Sequence, residues 1–275
     1  MAHRHPVQLL LSATSAALPL LAGLGCAVKA RAAPEISVIP RPERVRIAPS
    51  QAPFSIESGT SVVADPSDAE ARAIAAQLAE RLGVRHAAPA KAGGTDEGRR
   101  LELVRLSDPS LGEEGYELHI DESAVRILAS APAGLFYGAQ TLLSLTPAGA
   151  TGEHGRSLPS LSIRDRPRFR YRGIHLDVAR HMFPVPFIEE LIDVLAMHKM
   201  NTLHLHLTDD QGWRFEVKQY PLLTEIGAFR IRAPSGAPGS GVHDEPRYGG
   251  FYKQTELRRL VAYARCRFPA NDVCD

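Results

Sequence analysis

Arg180, His204, His206 and Asp209 are the residues best suited to chemistry in the middle of the chain, with Asp210 and Trp213 just beyond. Arginine supplies a permanently charged planar fork that can hold two adjacent acceptors, such as vicinal hydroxyls or a carboxylate. Aspartate can accept hydrogen bonds or orient an imidazole. In Thr202-Leu203-His204-Leu205-His206-Leu207-Thr208-Asp209-Asp210 an extended backbone would place both histidines on one face and the leucines on the other. With the leucines against a helix layer, the imidazoles would point into an interior, where each must be hydrogen-bonded or bind something. Three readings fit these residue types. Arg180 could grip a ligand; Arg180 and Asp209 could form a structural ion pair with Asp209-Asp210 as a surface turn; or His204 and His206 could begin a metal site. The last needs more ligands, and beyond Gln211 the chain offers only His243, in a Gly/Pro-rich loop, so no metal or other cofactor is expected.

Such residues need strand ends to hold them. A strand is predicted over 171–177, a helix over 187–198 with Phe187, Leu191, Val194 and Leu195 on one face, and a second strand over 202–207. A further helix over 255–265 has Leu257, Leu260, Val261 and Ala264 at i, i+3, i+4 and i+7. Strands alternating with helices imply parallel pairing, in a doubly wound sheet or a (β/α) barrel. In both, chemistry sits beyond the carboxyl ends of the strands.

The preceding region, 34–165, mixes strands (36–39, 60–63, 101–106, 116–120, 124–128) with helices over 68–82 and 133–145. Ile74, Leu78 and Leu82 share a face of the first helix, and Asp121-Glu122-Ser123 joins the last two strands tightly. This reads as an α+β domain without a catalytic cluster; His86 and His119 stand alone, as structural histidines do. The segment 146–159 reads as the connection out of it.

With 32 basic and 31 acidic residues, the net charge of +1 gives no field that would draw the chain onto nucleic acid. Hydrophobic content of 44% in 275 residues argues for a globular protein. His3, Arg4 and His5 precede an apolar stretch over 7–24 and the small-residue segment Ala30-Arg31-Ala32, so residues 1–32 read as a signal peptide. The remainder would be exported, to the periplasm or beyond, without a membrane span once the leader is removed. A lipid anchor on Cys26 is the alternative. Cys266 and Cys274 could pair, but the body between them and Cys26 has no cysteine on which a disulfide or thiolate cage could depend.

The segment Tyr171-Arg172-Gly173-Ile174-His175-Leu176-Asp177-Val178-Ala179-Arg180-His181 resembles the opening barrel strand of the β-N-acetylhexosaminidases of glycoside hydrolase family 20. His198-Lys199-Met200-Asn201 and His204 through Arg214 resemble that family's second strand and loop, and 220–227 and 248–252 are similar as well. The resemblance implies an α+β domain over 34–165 followed by the beginning of a (β/α)8 TIM barrel over 168–265. It implies exo-hydrolysis of terminal β-linked N-acetylhexosamine from oligosaccharides, in which the substrate's own acetamido oxygen attacks the anomeric carbon with overall retention. Carried onto this chain, Arg180 holds hydroxyls of the terminal sugar and Asp209 supports the acid/base residue. His204, His206, Asp210 and Trp213 would line the pocket, Trp213 either as packing or as a sugar platform.

In the family an adjacent Asp-Glu pair orients the acetamido group and moves the proton, following a His-x-Gly-Gly pattern. That pattern is absent; Asp96-Glu97 lies in a Gly-rich loop of the first region, so no catalytic residue is assigned. From Arg168 onward the chain is roughly half the shortest complete barrel. The expectation is an incomplete barrel with an aberrant tail over 266–275, as a frameshift or premature stop would give, and a catalytically incomplete product or a non-catalytic sugar-binding remnant.

Overall fold

The computed structural model describes residues 36–87, 99–146, 156–231 and 247–267, which belong to one unit beginning at Pro34. The leader, Cys26, Asp96-Glu97, His243 and Cys274 lie outside the described residues. The first part contains β1 (Arg44–Ile47), β2 (Phe54–Ile56), β3 (Ser61–Ala64), α1 (Ala69–Leu82), β4 (Arg85–Ala87), β5 (Arg100–Arg105), β6 (Tyr116–Ile120), β7 (Ala124–Ala129), α2 (Pro132–Leu145), β8 (Arg156–Leu158) and β9 (Leu161–Asp165). The second contains β10 (Gly173–Asp177), α3 (Val185–Met197), β11 (Thr202–His206), β12 (Thr208–Asp209), β13 (Gly212–Trp213), α4 (Leu222–Glu225), β14 (Phe229–Ile231), β15 (Arg247–Gly249) and α5 (Gln254–Arg267).

Local chemistry sets these elements. In β6 the alternation buries Tyr116, Leu118 and Ile120 and leaves Glu117 and His119 half-buried, bonded to each other at 3.1 Å. The Asp121 carboxylate closes the β6–β7 turn by accepting from the N–H groups of Ser123 and Ala124 at 2.8 and 2.9 Å. Asp68 caps α1 by accepting from Ala71 N–H at 3.0 Å, and Gly83, at φ 64°, ends it; Ile74, Leu78 and Leu82 are buried as one stripe.

The seven-stranded sheet runs β1-β9-β6-β7-β5-β3-β4, parallel from β4 through β7 and antiparallel from there to β1. The expected strand over 36–39 is corrected: those residues form no regular structure, and the first strand starts only after Pro40 and Pro42, which lack the N–H a ladder requires. One apolar core continues from the sheet through α1 and α2 into α3, β11 and α5.

Polar side chains cross the seam between the two parts. Arg172 pairs with Glu114 (2.6 Å) and donates to the Tyr137 hydroxyl (3.1 Å), while Lys199 meets both Asp165 Oδ2 and the Tyr116 hydroxyl at 2.8 Å. Asn201 accepts from Arg172 N–H at 3.0 Å and donates to Arg170 O at 2.7 Å, locking β10 to the start of β11. These contacts hold Lys199 at φ 59°, a left-handed conformation a lysine adopts at a cost. Burial pushes the Lys199 ammonium down and the Tyr116 and Tyr137 phenols up.

β10 and β11 pair in parallel, as the strand–helix–strand rhythm requires, with α3 as the crossover. The stripe expected on α3 is corrected. Ile188, Ile192, Leu195 and Ala196 are buried, whereas Phe187 and Val194 are exposed, because the face turned to the core runs i, i+4, i+7, i+8 from Ile188. Helix α5 continues two residues past 265: Arg267 bonds Asp193 at 2.8 Å and stacks on Tyr263, so Cys266 and Arg267 are helical where the tail was expected to begin.

Candidate sugar-binding site

The register of β10 on β11 sets His175 opposite His204 and Asp177 opposite His206, so the two strands end level. Ala179 N–H, donating to His206 O at 3.1 Å, extends the pairing past the strand, and the chain then turns at Arg180. After β11, a hairpin of β12 and β13 pairs Thr208 with Trp213 and Asp209 with Gly212. Asp209 is thereby delivered to Arg180.

Four of these side chains form one network. Arg180 N–H donates to Asp177 Oδ1 (2.9 Å) and Arg180 Nη1 to Asp177 Oδ2 (2.6 Å), while Nη2 pairs with Asp209 Oδ2 at 3.0 Å. His206 Nε2 meets the same Asp209 oxygen at 2.8 Å, and Asp210 N–H donates to Oδ1 at 2.8 Å. The Asp209 carboxyl lies well below the ordinary carboxylate range, chiefly through the His206 hydrogen bond, then the Asp210 N–H and the Arg180 charge. At Asp177 burial pushes up, but the Arg180 hydrogen bonds and charge outweigh it and the carboxyl is also depressed. Arg180 is held charged in turn by Asp177 and Asp209. Its side chain remains half exposed, and a guanidinium has five N–H donors. Donors therefore remain for the hydroxyls of a ligand.

Of the expected site residues, Arg180, Asp209 and His206 come together. Asp210 contributes its backbone N–H. One placement is corrected. His204 is exposed rather than buried, touching His175 edge to face with ring centroids 4.9 Å apart, because among the described residues no element packs over that part of the two-stranded sheet. Trp213 is a hairpin rung whose indole N–H is committed to Phe215 O at 2.6 Å. Leu203 is buried and Leu205 and Leu207 pack on the core, as the alternation required. Asp177 and His175 escaped the sequence reading, although the parallel register that places them opposite His206 and His204 follows from the two strands already recognised.

The Arg180–Asp209 ion pair, the plainest of the three readings, is present, and it leaves some of the guanidinium N–H groups uncommitted. Among the described residues no group of three or more His, Cys, Asp or Glu side chains could hold a metal ion, and His206 is already engaged by Asp209. Besides Asp96-Glu97, Asp-Glu pairs occur at 121–122, inside the β6–β7 turn, and at 244–245, outside the described residues; neither follows His-x-Gly-Gly. A cavity of about 680 Å³ opens elsewhere, at the seam, bordered by Arg41, Glu114, Asp165, Phe169, Arg172 and Lys199 among others and by none of the network residues.

Comparison with known proteins agrees with this layout. Residues 35–166 match the model of glycosyl hydrolase family 20, domain 2, and residues 169–268 that of the glycosyl hydrolase family 20 catalytic domain. A beta-hexosaminidase of Porphyromonas gingivalis is 36% identical over 90% of this chain and 32% of its own length; a beta-N-acetylhexosaminidase of Cellulomonas fimi is 35% identical over 85% and 44%. The structure of the GH20 beta-N-acetylhexosaminidase from Streptomyces coelicolor A3(2) superposes with a TM-score of 0.70 at 33% identity, over 84% of this chain and 44% of that one. That of a Vibrio harveyi exo beta-N-acetylglucosaminidase in complex with N-acetylglucosamine gives 0.69 at 33%, over 84% and 34%. The chain thus spans from about a third to under half the length of these proteins. Together the two matched stretches account for most of the chain, the strand-end network lying within the second: the chain belongs to glycosyl hydrolase family 20.

Proposed function

We propose that this chain supplies the sugar-gripping part of a β-N-acetylhexosaminidase pocket, acting on terminal non-reducing N-acetylhexosamine residues of oligosaccharides. The observation that carries the reading is Arg180, half exposed at a strand end and braced by Asp177 and Asp209. Two carboxylates fix the plane of the guanidinium, so its remaining N–H groups meet neighbouring ring hydroxyls without first losing rotamer freedom. Asp209, held ionised and shared with His206, links the fork to the network that supports the acid/base residue in the full enzyme. The reaction itself is retaining and substrate-assisted, and the Asp-Glu pair it needs has no counterpart among the residues of this site. The leader reading supports an exported protein.

Titration of the chain with N-acetylglucosamine, beside glucose, tests the proposal. Binding selective for the acetamido sugar is expected, and Arg180→Ala should weaken it at least about tenfold, the loss of one charge-assisted hydrogen bond or more. Equal affinity of Arg180→Ala and the parent chain would refute the assignment. No turnover of an aryl N-acetylglucosaminide is expected from the chain as given; measured hydrolysis by material of verified mass would show the proton-handling groups to be present after all.

A further inference from the structure

The loop that carries Arg180 is fastened at successive positions, each time by a side chain from the segment after the β12–β13 hairpin. Arg214, fully buried, donates through Nε to Val178 O at 3.0 Å and through Nη2 to Ala179 O at 2.8 Å; its Nη1 reaches Gly250 O at 3.0 Å and also Ala228 O. Every acceptor it reaches is a main-chain carbonyl. Tyr248 OH accepts from Met182 N–H at 2.8 Å, and Tyr252 OH donates to Phe183 O at 2.6 Å. Between these lies Arg230, half-buried on β14 with its guanidinium over the Tyr248 ring. Arg230 Nη2 donates to the carbonyl of Arg180 itself at 2.7 Å, and Nη1 to the carbonyl of Gln211, in the hairpin turn beside Asp209, at 2.9 Å. One rigid fork therefore spans the two segments whose side chains make the Arg180–Asp209 pair.

We propose that Arg230 is a positioning residue: it sets the separation between the Arg180 loop and the Asp209 hairpin, and through it the geometry with which Arg180 meets a sugar. The proposal rests on the reading of Arg180 as the sugar-holding residue. A guanidinium is required because two carbonyls in different segments must be met by one group of fixed width, which a lysine's single ammonium on a flexible stem does not provide. Arg214 anchors the same loop from the core, where its removal would take a donor from four carbonyls, only Ala228 O among them keeping another, from Gly250 N–H, so the half-buried Arg230 is the better probe of positioning.

The test compares the full chain with Arg230→Lys and Arg230→Met, with Arg180→Ala as a control, by amide hydrogen exchange and by N-acetylglucosamine affinity. Expected are exchange at least about tenfold faster in 178–182 and 208–213 for Arg230→Met, unchanged exchange in the seven-stranded sheet, affinity about tenfold weaker, and at most partial rescue by lysine. Unchanged exchange in the two segments, faster exchange spread over the whole molecule, full rescue by lysine, or a loosened loop with unaltered affinity would each overturn the proposal. Should the parent chain not bind the sugar, the reading of Arg180 fails by itself, and Arg230 is then judged by exchange alone: unchanged exchange removes the fastening role, and faster exchange confined to the two segments retains it.

Discussion

At Arg180 two carboxylates and an imidazole act as one unit, and acid is the condition that separates them. Both Asp177 and Asp209 titrate below the ordinary aspartate value of 3.8. A carboxyl depressed in the folded state contributes its stabilisation in full above the unfolded value, and that contribution is lost as pH falls through the folded one. Exchange protection of the Arg180 and Asp210 amides, which rest on these two carboxylates, is therefore expected to hold from neutral pH down to about pH 4 and to fall away only below it. Loss of protection already near pH 6 would show that the carboxylates are not its source. Part of this scale was legible in the residue order: strand alternation set His204 and His206 on one face and residue chemistry marked Arg180 and Asp209, whose roles came from the family resemblance. Asp177 was not, because its role depends on the rotamer of Arg180 folding back over it. Nor was the exposure of His204, which depends on what covers the sheet.

Among the elements, the turns that join strands and helices are the stressed points. Lys199, at the α3–β11 turn, is charged, buried and left-handed, and it is balanced by Asp165 and Tyr116. Lys199→Ala leaves the Asp165 carboxylate without its cation and is expected to cost about 3 kcal/mol, read by urea unfolding. A cost near zero would show that water replaces the ammonium. Gly249 on β15 has φ 154°, and a Cβ there would lie 2.0 Å from Ala228 O, an atom of the backbone. Gly249→Ala should destabilise by about 2 kcal/mol, and because it displaces the carbonyl that Arg214 holds, it should also loosen 178–182. The long elements α1, α2, α3 and α5 were readable because thirteen or fourteen residues are enough to show helical periodicity or a sustained helix-forming run, even where, as on α3, the buried face differs from the expected one. Strands β1, β2, β4, β8 and β9 were not. At three to five residues they show too little alternation, and pairing with distant partners is what defines them.

On the scale of the whole molecule, β10 and β11 form a two-stranded parallel sheet, a pairing usually covered on both faces. Ile174, Phe187, Val194 and Met197 are exposed around it. Association of the chain as given is expected as its concentration rises, seen as a growing sedimentation coefficient, and Val194→Lys should reduce it without lowering the unfolding midpoint. A single monomeric boundary at every concentration would contradict this. The two-part plan was legible from the change of rhythm after Arg166-Pro167, whereas the bonds across the seam were not, since no local pattern links Glu114 to Arg172 or Asp165 to Lys199. Those bonds make the parts poor candidates for separate life. Severed at Arg166-Pro167, one fragment would carry a guanidinium and an ammonium bereft of counter-ions, the other two orphaned carboxylates, and chimeras exchanging the leading sheet between family members would have to transplant all four side chains as a set.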